Sequence, residues 1–243
     1  MKDSVMKQNK SFVPLISIIL FCDLAIIILY MFIVLPALTE NPHTLWSLID
    51  LDQEANLTAW YSSAKLLGLA IISFMIFISE GRSPGSGAKS KWMWLVVAII
   101  FLALSADETA SIHETIADTI MKGAPIGVDI RESVLGGDKY KDSFAWVVLL
   151  APFILAVSVF FLIFFYKKFS KSRTNLIISV IALGCYLLAV GSEATIYLAP
   201  AFTEFTAADT LRYRISIGIE ESGEIIGTTL FLLVFLRYRL SLD

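Results

Sequence analysis

Histidine, cysteine and charge are all scarce in this chain, and each shortage closes off a class of function. Only His43 and His113 occur among 243 residues. A zinc hydrolase built on three histidines therefore cannot be assembled, nor can a ferritin-like di-iron centre, which needs two helical Glu-x-x-His pairs. The one such spacing, Glu40 to His43, encloses Pro42 in a loop. Cys22 and Cys185 both fall in apolar runs, which argues against a structural disulfide and makes them buried thiols. Charged residues amount to 17% of the chain against 57% apolar, with a net charge of -3. The basic ones form short clusters between hydrophobic runs, so no nucleic-acid-binding face is encoded.

What is abundant is hydrocarbon. A mean hydropathy of +0.75 and apolar runs at 13–35, 61–79, 92–115, 145–166, 174–199 and 211–236 predict an all-α polytopic membrane protein. The expected architecture is one domain over 1–243, a bundle of six transmembrane helices, each with about the ~20 residues that cross ~30 Å of hydrocarbon. Lys2, Lys7 and Lys10 before the first run mimic a signal peptide. That run is too long for one and ends on no small-residue cleavage site, so a retained helix is expected.

Charge placement gives the orientation. Lys2, Lys7, Lys10, Arg82, Lys89, Lys91, Lys167, Lys168, Lys171, Arg173, Arg237 and Arg239 fall on one side, twelve of the 19 basic residues. The positive-inside rule then puts both termini in the cytoplasm of a bacterial inner membrane. Loops 36–60 and 116–144 face outward and are acidic. In the first, Leu45, Leu48 and Ile49 have the spacing of a short amphipathic helix lying on the outer surface. The second, with Gly123, Gly127, Gly136 and Gly137, has the length of a lid or re-entrant piece.

Eight ionisable side chains break this pattern. Asp107, Glu108, His113 and Glu114 end the third run, Glu193 sits in the fifth, and Glu220, Glu221 and Glu224 lie in the sixth. A carboxylate at the centre of a lone spanning helix costs about 2.5–3.5 kcal/mol, so repeated placement predicts a shared polar site. An advance of roughly 100° per residue sets Asp107, Ser111 and Glu114 on one face, flanked by Glu108 and His113. Glu224 is a helical neighbour of both Glu220 and Glu221, and like charges so spaced need a cation or shared protons. Tyr186 and Tyr197 share the face of Glu193, and Asp23 offers a further wall. All three acid sets lie in the outer half, while the fourth run and the end of the sixth carry none. A cavity open outward and closed toward the cytoplasm is expected.

Many carboxylates with one imidazole favour Ca²⁺, Mg²⁺, Mn²⁺ or iron, and zinc less. The leading expectation is a metal-dependent hydrolase or transferase acting on a lipid or lipid-linked substrate. Asp107, Glu114, Glu220, Glu221 and Glu224 would hold the divalent ion. Glu108, His113 or Glu193 would serve as general base, and Arg212 and Arg214 would meet a phosphate. Two other readings use the same acids: a divalent-cation or proton-coupled transporter, and a non-catalytic sensor, accessory or immunity protein. Displacement of the acids to one side favours the enzyme over a transporter of inverted repeats. Membrane lipids are the expected partners, and the oligomeric state, a homo-oligomer included, is left open. Asp107-Glu108 with His113-Glu114 resembles the pattern of an uncharacterised bacterial membrane family, which implies no function. Glu220-Glu221 is similar to the Glu-Glu motif of membrane CAAX-type proteases, whose accompanying arginine and paired-histidine motifs this chain lacks.

Overall fold

The computed structural model describes residues 12–36, 45–53, 56–82, 88–123, 145–198 and 207–242, apart from some side chains, those of 193–198 and 207–210 among them. No strand occurs among the described residues. Helix α1, Val13–Leu29, starts with Pro14 in its first turn, where the fixed φ of proline suits a helix. It runs on through one wide π-helical turn, Tyr30–Val34. A short 3-10 turn, Leu45–Ile49, precedes α2, Leu57–Arg82. The remaining helices are α3, Ala88–Ala110, α4, Ile112–Gly123, α5, Ala145–Phe169, α6, Arg173–Leu198, and α7, Ala207–Leu240.

Five stretches are long and apolar enough to cross a membrane: Pro14–Val34, Leu57–Gly81, Lys91–Ala110, Leu149–Phe169 and Arg173–Ser192. Helix α7 is the longest at 34 residues, but Glu220, Glu221 and Glu224 interrupt its apolar sequence. Much of the outer surface is hydrocarbon, with Phe21, Phe32 and Leu188 each more than 70% exposed. Such a surface is a liability in water and the normal state of a protein solvated by lipid.

The third apolar run is not the single helix expected over 92–115. It stops at Ala110, and Ser111 takes a left-handed φ of 46°. That conformation costs an L-residue about 1–2 kcal/mol. The side chain of Asp107 offsets the cost by accepting the backbone N–H of His113 at 2.8 Å, which satisfies one of the orphan amides opening α4. The chain therefore turns, and α4 begins what the sequence presents as a loop. The segment with Leu45 and Leu48 is likewise a 3-10 turn rather than an α-helix, although both leucines are exposed as expected.

Helix α7 is the hub, packed against α1, α2 and α6. Its contact with α6 depends on small residues: a Cβ at Gly223 would lie 2.9 Å from the Cys185 carbonyl, and one at Gly227 3.1 Å from the Ala182 carbonyl. Helix α3 lies on α2, α5 lies on α6, and α4 crosses from α3 to pack on α5. In one half of the bundle the centre is filled by rings. Trp94 meets Phe164 edge-on at 4.7 Å and Phe235 at 5.1 Å, and Phe101 contacts Phe161 and Phe231.

Two buried ion pairs tie this frame together. The Asp23 carboxylate accepts hydrogen bonds from Lys65 Nζ at 2.9 Å, Tyr61 Oη at 2.7 Å and Thr229 Oγ1 at 2.6 Å, linking α1, α2 and α7. The Glu80 carboxylate accepts from Lys168 Nζ, Trp94 Nε1 and Tyr238 Oη, linking α2, α5, α3 and α7. Burying either pair is affordable only because each charge meets several partners.

Candidate functional site

A cavity of about 670 Å³ occupies the half of the bundle opposite the ring-filled core. Phe101, Phe161 and Phe231 form its floor, where the aromatic packing begins. The walls come from the start of α2, the ends of α3 and α6, α4, and the first halves of α5 and α7. Several lining residues, Ile99, Phe153 and Leu187 among them, are also exposed on the flank of the bundle, so the void reaches the lipid-facing surface. Pro152 sits at that level of α5 and removes one rung of the helix ladder there.

Seven of the residues singled out in the sequence border this void: Asp107, Glu108, His113, Glu114, Glu220, Glu221 and Glu224. The acids of α3, α4 and α7 thus border one void at one end of the bundle. The side chain of Glu193 lies outside the described residues. Arg212 and Arg214 are not on the lining. Arg212 is exposed, and Arg214 reaches Asp50 Oδ2 at 3.2 Å. Asp23 is not a wall of the site either, being held by Lys65. Tyr186 lines the cavity, but its hydroxyl pairs with Thr228 Oγ1 at 2.6 Å.

Sharing a cavity is not the same as sharing an ion. Among the described residues no three His, Cys, Asp or Glu side chains come together in a group that could hold a metal. The geometry gives a reason. Asp107, expected as a ligand, is turned to His113: its Oδ1 accepts the backbone N–H and its Oδ2 meets Nδ1, both at 2.8 Å. The break at Ser111 that this contact stabilises also redirects Glu114 onto a new helix. On α7, Glu220 and Glu221 are adjacent and so point roughly 100° apart.

The Asp107–His113 contact has chemical content. With Nδ1–H donated to the carboxylate, the basic lone pair of the neutral imidazole is on Nε2. A carboxylate so placed fixes the ring and stabilises the imidazolium that forms when Nε2 takes a proton. The sequence gives both residues but not this pairing, because six positions on an unbroken helix would set them roughly 120° and about 9 Å apart.

One lining acid was legible only as part of an acidic loop. Asp52 follows the 3-10 turn, borders the cavity and accepts a hydrogen bond from Tyr213 Oη at 3.0 Å. Burial pushes its carboxyl up to about 6, while the Tyr213 hydroxyl pulls the other way and Asp50 and Glu114 add to the rise. Asn56 holds this segment in place: its Oδ1 caps α2 by accepting the amides of Thr58 and Ala59, both at 3.0 Å. Lys65 was also missed. Its signal was a lone lysine inside an apolar run, a charge that must find an acid on another helix.

Together the described residues form a helical fold compatible with an integral membrane protein, with a carboxylate-lined cavity at one end. The chain belongs to the family described as Domain of unknown function (DUF8692), whose model matches residues 19–238. No curated protein and no solved structure matches it.

Proposed function

We propose that this protein is a membrane-embedded enzyme acting on a lipid-like amphiphile, with His113 as the general base and Asp107 as the residue that positions it. In this reading α7 is a sixth crossing, both termini are cytoplasmic, and the substrate enters sideways from the outer leaflet. The observation that carries it is the Asp107–His113 pair on the wall of a cavity that reaches the lipid-facing flank. A general base within such a cavity can take a proton from a hydroxyl or water while the hydrocarbon part of the substrate remains in the bilayer. A divalent ion here would draw fewer than three ligands from the described residues. Water and the substrate's own oxygens would complete its shell.

The test is turnover. Purified protein in liposomes of native membrane lipid is incubated, and lipid species are followed by mass spectrometry. One lipid class should change with the wild type. Asp107→Asn keeps an acceptor for the His113 amide but presents an N–H to Nδ1, reversing the tautomer. It should lower the rate by about 10²–10⁴ with the fold retained. An unchanged lipid profile, or full activity in Asp107→Asn, overturns the proposal. Movement of protons or divalent ions that stops in Glu224→Gln, with lipids untouched, would make the protein a transporter instead.

A further inference from the structure

Charge on the cavity wall has one sign. Asp52, Asp107, Glu108, Glu114, Glu220, Glu221 and Glu224 line it, and among the described residues no lysine or arginine does. Two cationic groups on the same elements are committed elsewhere, Arg214 to Asp50 and Lys65 to Asp23. Glu221 is a second and separate indication. It is half-buried, it borders the void, and it makes no hydrogen bond or ion pair with any described residue. A carboxylate facing a void, with no donor among the described residues, takes one from what occupies that void. Opposite the acids the wall is apolar and open to the flank at Ile99 and Phe153. The volume of about 670 Å³ lies within the range of small-molecule sites.

From these observations we infer that the ligand is a protonated amine on a hydrocarbon chain, not a phosphate-headed lipid. This rests on the reading of the cavity as an amphiphile site. The ammonium donates to Glu221 and its neighbours, whose mutual repulsion it relieves, and the chain leaves between α3 and α5 into the bilayer. A phosphate would meet seven lining carboxylates with no arginine or lysine among the described lining residues to offset them.

Native mass spectrometry from neutral maltoside micelles, with dodecylamine, dodecanol and dodecyl phosphate as probes near pH 7.5, decides the matter. Dodecylamine should saturate one site at least about tenfold more tightly than dodecanol, the scale of one charge-assisted hydrogen bond. Dodecyl phosphate should be the weakest. The double variant Glu221→Gln, Glu224→Gln should lose that preference while binding dodecanol as before, which also reports that the cavity persists. Equal binding of the three probes, or preference for the phosphate once Ca²⁺ is added, overturns the cationic assignment and leaves the amphiphile site standing. Failure of all three to bind overturns both.

Discussion

Lys65 and Asp23 have side chains only 5% and 1% exposed, so each charge is fully dependent on the other. Lys65 Nζ also donates to the Ile225 carbonyl at 2.9 Å, a group already in the α7 ladder. Removing the lysine would leave the carboxylate in a dry interior with only the Tyr61 and Thr229 hydroxyls. Lys65→Met should therefore destabilise the protein by about 3–5 kcal/mol, the cost of an uncompensated buried charge. Combining it with Asp23→Asn should restore much of that loss, because the orphaned charge goes too. Thermal unfolding in detergent of the two single variants and the double variant checks this, and additive losses would refute it. The same pair shows what residue-level reading can reach. Asp23 and Lys65 are both visible as charges in apolar runs, yet nothing in a linear sequence says that the first and second runs are neighbours at that depth. The acids of α3 and α7 were easier, because their number and shared depth already implied a common space. Their partners were harder, since Asp107 satisfies His113 only after the helix has broken at Ser111.

At the scale of elements, the segment before α2 carries a pH-sensitive group in Asp52. It is anchored to α7 by Arg214 to Asp50 and by Tyr213 to Asp52, and Asn56 bonds back to the Asp50 carbonyl. Asp52 has its carboxyl raised from 3.8 to about 6, chiefly by burial. The folded state thus binds a proton that the unfolded chain releases at lower pH. Between roughly pH 4 and 6 the folded form holds more protons, so this group's contribution is full below pH 4 and is lost as pH rises through 6. Asp52→Asn should remove that slope and leave the variant relatively more stable above pH 6. Unfolding midpoints of both proteins measured across pH 4–8 provide the check, and parallel curves would show that Asp52 does not carry the effect. The sequence offered Leu45, Leu48 and Ile49 as an amphipathic pattern but could not show that the acids behind them turn inward. Periodicity reports which face is apolar. Whether the opposite face meets water or another helix depends on where the chain goes next.

The whole molecule is polar along its axis in two senses. One end holds the ring-filled core and the Glu80–Lys168 pair, and Lys167, Lys168, Lys171, Arg173, Arg237 and Arg239 cluster at the helix ends there. The other end holds the cavity, its carboxylates and the turn over Asp50 and Asp52. Positive helix ends are retained in the cytoplasm, so the sealed end should face inward and the cavity should draw on the outer leaflet. Two exposed positions test this directly. Gln53 lies at the cavity end and Ser170 in the turn between α5 and α6 at the other. In a background with Cys22 and Cys185 changed to serine, Gln53→Cys should react with a membrane-impermeant maleimide on intact cells. Ser170→Cys should react only after the membrane is opened. The reverse pattern would invert the molecule and make the inner leaflet the source of any amphiphile. Labelling of both from outside would mean that an even number of crossings separates them, and one of α2, α3 and α5 would then have to be withdrawn as a span.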